Sequence, residues 1–233
     1  MASVLPVVFV PGLLCSARLY SSQVEALWPT GSVTIADHRR DADMTAIAAR
    51  ILADAPPRFA LAGLSMGGYI AFAMLRLAPE RIAKLALLDT SARPDTSEQS
   101  ATRVKFIAMA QAGKLDEVVD TLAPRFIHRE RGNDETLRRV IRKMAADTGA
   151  EAFVRQQKAI MSRADSRPLL GEIRCPTLVL VGDADELTLP DLAKEICGGI
   201  SDARLVVVPD CGHLSTLERP DAVNTALLEW LGA

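Results

Sequence analysis

Six short apolar runs, rich in β-branched residues, recur along the chain between turn residues. They are Val4–Val10, Ser32–Ala36, Arg58–Leu64, Lys84–Leu88, Pro176–Val181 and Ala203–Val208. Most are continuously apolar rather than alternating, the pattern of strands buried on both faces of a parallel sheet. Between them helical periodicity takes over. Met44–Asp54, Ser65–Leu77 and Leu189–Cys197 read as helices. Pro220–Leu231 closes the chain, with Val223, Leu227, Trp230 and Leu231 on one face and Pro220 in its first turn. Strand alternating with helix predicts an α/β architecture, a mostly parallel doubly wound sheet.

One interval breaks the alternation. Between Asp89 and Cys175 no strand pattern occurs. Asn133 is placed to cap a helix whose Leu137, Val140, Ile141 and Met144 share a stripe. Phe153, Gln157, Ile160 and Met161 mark another. Residues 91–170 are therefore expected to form an all-helical insertion between two strands, with residues 1–90 and 171–233 as the core.

Composition narrows the function classes. A chain of 233 residues, 49% of them hydrophobic, can bury a full core as one large domain. A net charge of -2 lacks the basic excess that nucleic-acid binding needs. No run approaches ~18 apolar residues, so no membrane span is expected. The apolar start, Ser3 to Cys15, has no basic leader, since the first Arg is Arg18, and Pro6 and Pro11 interrupt it. It reads as a buried strand, and the protein as cytoplasmic. Cys15, Cys175, Cys197 and Cys211 form no C-x-x-C pair and have no His at ligand spacing, which points to reduced thiols rather than a metal site. The usual nucleotide-binding and zinc-protease motifs are missing too, so no cofactor is expected.

The chemistry gathers at Gly63-Leu64-Ser65-Met66-Gly67, directly after one strand and before an apolar helix. A nucleophile elbow needs this arrangement. The Ser sits in a strained strand-to-helix turn, and the glycines avoid clashes where backbones crowd. The pattern alone is modest, and its position gives it weight. A nucleophilic Ser requires a base. Only His128 and His213 lie beyond Ser65. His128 falls in a polar run of the helical interval, whereas His213 follows the last strand, at the sheet edge where ligands bind in such folds. The accompanying acid must also come from a strand end. Asp183, Asp185 and Glu186 follow the fifth strand and Asp89 the fourth, and spacing does not choose among them.

Three motifs carry a resemblance over essentially the whole chain. They are Gly63-Leu64-Ser65-Met66-Gly67-Gly68, Gly182-Asp183-Ala184-Asp185-Glu186-Leu187-Thr188, and Asp210-Cys211-Gly212-His213 with Leu217-Glu218-Arg219-Pro220. With them the chain resembles the α/β-hydrolase superfamily, in particular its small bacterial esterases, carrier-protein methyl esterases and lactonases. The resemblance implies that Asp185 is the acid, that Asp183 and Glu186 are loop residues, and that 91–170 is a helical cap. It also implies an oxyanion hole from the backbone N–H groups of Leu13 and Met66. The family's usual His before the first glycine is Pro11 here, so what supports the oxyanion loop stays open.

The expected activity is that of a cofactor-free serine hydrolase, cleaving an ester or thioester through an acyl-enzyme on Ser65, Asp185 and His213. Lactone opening, C–C bond hydrolysis, perhydrolysis or halogenation on the same triad, and ligand binding without turnover, are the rival readings. Residues 91–168 hold 15 Lys and Arg against 11 Asp and Glu. Solvated helix faces explain such a balance, and so does an anionic ester, a coenzyme A thioester or an acyl carrier protein met by Arg125, Arg138, Arg139, Arg142 or Arg155. Met109, Phe126 and Met161 have two readings, lining a substrate pocket under the cap or, the more ordinary role, packing within it; Tyr69 reads as helix packing, and Cys15 and Cys211 as neighbours of the site without a role.

Overall fold

A computed structural model describes residues 5–232 of the chain. Its six strands are β1 (Val7–Val10), β2 (Val33–Ile35), β3 (Phe59–Leu64), β4 (Ile82–Leu88), β5 (Thr177–Gly182) and β6 (Ala203–Val208). They form one sheet in the order β2-β1-β3-β4-β5-β6, and every neighbouring pair is parallel. The central strands β1, β3 and β5 are buried at every position, as their unbroken apolar runs require. The edge strands β2 and β6 are only partly covered.

The helices are α1 (Ser21–Leu27), α2 (Met44–Asp54), α3 (Met66–Leu77), α4 (Ser97–Gln111), α5 (Leu115–Phe126), α6 (Glu135–Met161), α7 (Arg167–Leu170), α8 (Pro190–Gly199), α9 (Ser215–Glu218) and α10 (Pro220–Leu231). Alternation along each strand divides the core in two. Val8, Val10, Leu61 and Leu85 pack with α2, α3 and α8, whereas Phe9, Ala60, Ala62 and Leu88 pack with α1 and α10. The sheet is thus wound on both faces. The helices α4 to α7 fill the chain between β4 and β5 without a strand.

The differences from expectation are local. β1 begins at Val7 rather than Val4: Pro6 joins the ladder only through its carbonyl, which accepts Ala60 N at 2.9 Å, and Val4 lies outside the described residues, as does Ser3. β4 begins earlier, at Ile82. Asp134, not Asn133, caps α6, because its carboxylate accepts the Thr136 and Leu137 amides at 2.9 and 3.1 Å. The two helical stripes of 135–161 run together across Gly149, whose φ of 75° and ψ of 164° break the helical path between them. No helix among the described residues is long and apolar enough to cross a membrane.

Candidate active site

The turn from β3 into α3 is held by crowding. Ser65 has φ 56° and ψ -115°, a positive φ that a residue with a side chain adopts only under constraint. Its amide donates to Leu88 O at 2.9 Å, and its carbonyl accepts Gly68 N at 2.9 Å and Thr90 Oγ1 at 2.8 Å. A Cβ at Gly63 would collide with the Gly67 carbonyl, and one at Gly67 with the Val10 carbonyl. The two glycines let β1, β3 and α3 meet beneath Ser65. The Met66 amide opens α3, where unpaired N–H groups and the helix dipole favour an anion.

β5 and β6 supply the next pair. The Asp185 Oδ2 atom lies 2.8 Å from His213 Nδ1, and both side chains are buried. Thr188 fixes the carboxylate, since its hydroxyl donates to Oδ2 at 2.7 Å and its amide reaches Oδ1 at 3.0 Å, beside the Leu187 amide at 2.8 Å. Burial alone would raise the carboxyl, but the His213 charge and these bonds hold it below the usual carboxylate range. Burial is the largest single influence and works against the imidazolium, but the Asp185 charge and hydrogen bond, with the charges of Asp89 and Glu218, together outweigh it and leave His213 above its ordinary 6.5. An imidazole so paired keeps its proton on Nδ1 and presents Nε2 as a base.

Asp89, the other strand-end candidate, does not bond to His213. Its carboxyl accepts Gly182 N at 2.9 Å and meets the Ser215 hydroxyl. Desolvation, with the Asp185 charge nearby, raises it to about 8. Asp183 is exposed and takes the Cys211 amide at 3.1 Å, and Glu186 is exposed. His128 is away from the cavity. Its amide and that of Gly212 both donate to the buried Glu218 carboxylate at 2.8 Å, which ties the residue before His213 to the start of the 128–131 turn.

Ser65 and His213 line one cavity of about 450 Å3, together with Leu13, Cys15, Tyr69 and Phe126. The Phe126 ring faces the imidazole at an interplanar angle of 26°, with centroids 6.3 Å apart. Among the described residues the Ser65 hydroxyl makes no hydrogen bond to the imidazole, a contact that commonly tightens only with substrate bound. Phe126 and Tyr69 thus line the cavity as well as pack, whereas Met109 and Met161 are not among its lining residues. Of the five arginines singled out above, Arg125 alone lines it. Arg142 pairs with Asp120 and Arg155 with Glu151, and Arg93, Arg103 and Arg163 are the lining arginines that periodicity did not reveal. The Cys15 thiol is pushed up to about 12 by burial, and Cys211 also rises, so neither is a ready thiolate.

The support under Leu13, left open by Pro11, comes from His38. This buried imidazole places Nε2 at 2.9 Å from Gly12 O, and in its Nε2–H tautomer it donates to that carbonyl. Gln156 stands beside the ring, its Nε2 3.0 Å from His38 Nε2, while its Oε1 accepts the Leu14 amide at 3.2 Å. Leu14 itself has φ 59°. Gly12 C=O and Leu13 N–H belong to one trans peptide, so anchoring the carbonyl also aims the amide the opposite way. Burial pushes His38 down to about 4, so it stays neutral.

Residues 7–226 match the alpha/beta hydrolase family, and the chain belongs to it. An esterase of Thermogutta terrifontis, solved with malate bound, superposes with a TM-score of 0.89 at 30% identity, covering 98% of this chain and 89% of that one. BpoC of Mycobacterium tuberculosis, a candidate non-heme bromoperoxidase, is 30% identical over 190 residues, 77% of this chain and 69% of that protein. A pimeloyl-[acyl-carrier protein] methyl ester esterase of Chromobacterium violaceum is 27% identical over 199 residues, 83% of this chain and 77% of that protein.

Proposed function

We propose that the protein is a cofactor-free serine hydrolase that cleaves a carboxylic ester or thioester through an acyl-enzyme. The observation that carries the reading is the buried Asp185–His213 bond of 2.8 Å opening on the same cavity as the strained Ser65. Ser65 attacks the carbonyl carbon as His213 Nε2 takes its proton, and Asp185 stabilises the imidazolium that results. The Leu13 and Met66 amides bind the oxyanion. His213 then protonates the leaving oxygen or sulfur, activates a water against the acyl-enzyme and returns the proton to Ser65. Helices α4 to α7, within residues 91–170, serve as the cap that shields these steps from bulk water.

The substrate is a small molecule with its acyl part in the cavity. A coenzyme A or acyl-carrier thioester fits the same chemistry, and the relative from Chromobacterium violaceum, named for a carrier-protein ester, supports that extension. Four unpaired cysteines agree with a cytoplasmic setting. The rival reactions on this scaffold differ in what the acyl-enzyme or its equivalent meets next, so substrate choice separates them. A turnover screen of ester, thioester, lactone and amide substrates, run beside Ser65→Ala, tests the reading. Ester or thioester turnover that vanishes in the variant supports it. Turnover that survives Ser65→Ala, or none by the intact protein, rejects it.

A further inference from the structure

One wall of the cavity carries a charge that its own residues do not balance. Asp95 is buried, with 3% of its side chain exposed, and it is gripped by two guanidinium groups. Arg103 Nε and Nη2 donate to it at 2.6 and 3.2 Å, and Arg163 Nη1 at 2.6 Å. Two cations on one carboxylate leave a surplus of one positive charge. Arg103 is 18% exposed and Arg163 only 7%, so solvent does little to dissipate it. Both arginines line the cavity while Asp95 stands behind them.

The rest of the charged lining does not cancel this. Arg93 is occupied by Glu195 through bonds of 2.9 and 3.0 Å. Arg125 adds a further cation, and Glu98, exposed in the first turn of α4, is the lining acid. The guanidinium groups are also fixed in place. Arg103 Nη1 donates to Gln157 Oε1 at 2.8 Å, Arg163 Nε to Arg93 O at 3.1 Å, and Arg163 lies 4.3 Å above the Tyr69 ring centre. Arg163 Nη2 makes no hydrogen bond to the protein among the described residues. Tyr69 stands four residues after Ser65, about 6 Å along α3. A preorganised, largely desolvated cation thus sits over Tyr69, one turn of α3 after Ser65 in sequence, in the wall of a cavity that Leu64, Phe106 and Leu122 also line.

We propose that Arg103 and Arg163, held on Asp95, form a carboxylate-binding subsite that selects esters bearing a second, anionic end, such as the half-ester of a short dicarboxylic acid. A carboxylate there takes the spare guanidinium donors and neutralises the surplus charge. The inference takes this cavity as the substrate site and so rests on the serine-hydrolase reading. The shared aspartate gives it a distinctive signature. Removing either arginine leaves a neutral pair and abolishes the surplus, whereas neutralising Asp95 enlarges it. A merely structural clasp responds to all three changes in the same direction.

The test is direct binding, measured by calorimetry on the Ser65→Ala protein so that turnover plays no part. Monoethyl adipate is compared with its uncharged amide counterpart. The proposal expects the acid to bind at least about tenfold tighter. Arg163→Gln, and independently Arg103→Gln should the first variant not fold, are expected to remove most of that preference. Asp95→Asn is expected to increase it. Equal binding of acid and amide, no saturable binding of either, or Asp95→Asn moving the preference in the same direction as the arginine variants overturns the proposal. The serine-hydrolase reading fails separately, through ester turnover that does not depend on Ser65.

Discussion

The loops at the carboxyl edge of the sheet and the helices between β4 and β5 hold their polar groups in different ways. In the loops, backbone does the holding. Ser65 is fixed by the carbonyl of Leu88 and by contacts that leave no room for a Cβ at Gly63 or Gly67, and Asp185 is fixed by the amides of Leu187 and Thr188. In the helices, side chains hold side chains: Arg103, Arg163, Asp95, Gln157 and Tyr69 form one cluster across three helices and two connecting segments. Backbone-held groups cannot be re-aimed without disturbing the sheet. Side-chain clusters can be exchanged while the fold persists. On the proposed function, bond-breaking chemistry falls to the loops and substrate choice to the helices.

The sharpest way to break this contrast lies within the loops. Asp185→Asn should lower kcat by about four orders of magnitude, because the imidazole loses the partner that sets its tautomer. Asp89→Asn should cost less than about tenfold, since that carboxyl, raised to about 8, already carries its proton at neutral pH. Steady-state kinetics on the two variants decide the matter. A crippled Asp89→Asn with a mild Asp185→Asn would move the acid to the end of β4.

A smaller effect is expected one contact away from the chemistry. His38→Leu removes the donor to Gly12 O and should lower kcat about 10–100-fold with KM little changed, because a misaimed amide weakens transition-state binding rather than substrate binding. His38→Gln, which offers a donor from a similar place, should recover part of the loss. A rise in KM at constant kcat would place His38 in substrate binding instead.

The division between loops and helices also explains what could be read in advance. The strands were legible because burial on both faces demands unbroken apolar runs, and Ser65 and His213 because a strand-to-helix turn and a strand end leave few alternatives. Asp185 was not separable from Asp89 by spacing, since both follow strands. The distinction lies in which carboxylate reaches Nδ1 across the sheet edge. His38, Gln156, Arg103 and Arg163 were illegible for a related reason. His38, Gln156 and Arg163 find partners 26, 142 and 68 residues away, and Arg103 bridges Asp95, 8 residues before it, to Gln157, 54 residues after it, contacts that no local periodicity records. Thr188 was the exception that a closer reading could have found, since it ends the Gly182–Thr188 motif.

The pH profile gives a further comparison. His213 must be unprotonated to act as a base, so kcat/KM should fall as pH drops through a value above 6.5. In Asp185→Asn the charge that supports the imidazolium is gone and burial dominates, so the same limb in the residual activity should move to lower pH. An upward or absent shift would contradict the pairing.

Salt should have the smallest effect. Because the Arg103 and Arg163 side chains are largely shielded from solvent, a preference for anionic esters should change by less than about threefold between 0.05 and 0.5 M salt. A preference that disappears in high salt would move recognition to Arg138, Arg139, Arg142 and Arg155 of α6, outside the cavity, and so to long-range steering.

The central claim is that the strained turn after β3 carries the nucleophile, and active-site labelling tests it most directly. The intact protein is treated with a fluorophosphonate probe, digested and mapped by mass spectrometry, with Ser65→Ala as control. The account predicts a single adduct on Ser65, loss of ester hydrolysis in step with labelling, and neither adduct nor activity in a Ser65→Ala protein that melts like the parent. An adduct on another residue, or full activity after Ser65 is labelled or replaced, would contradict it.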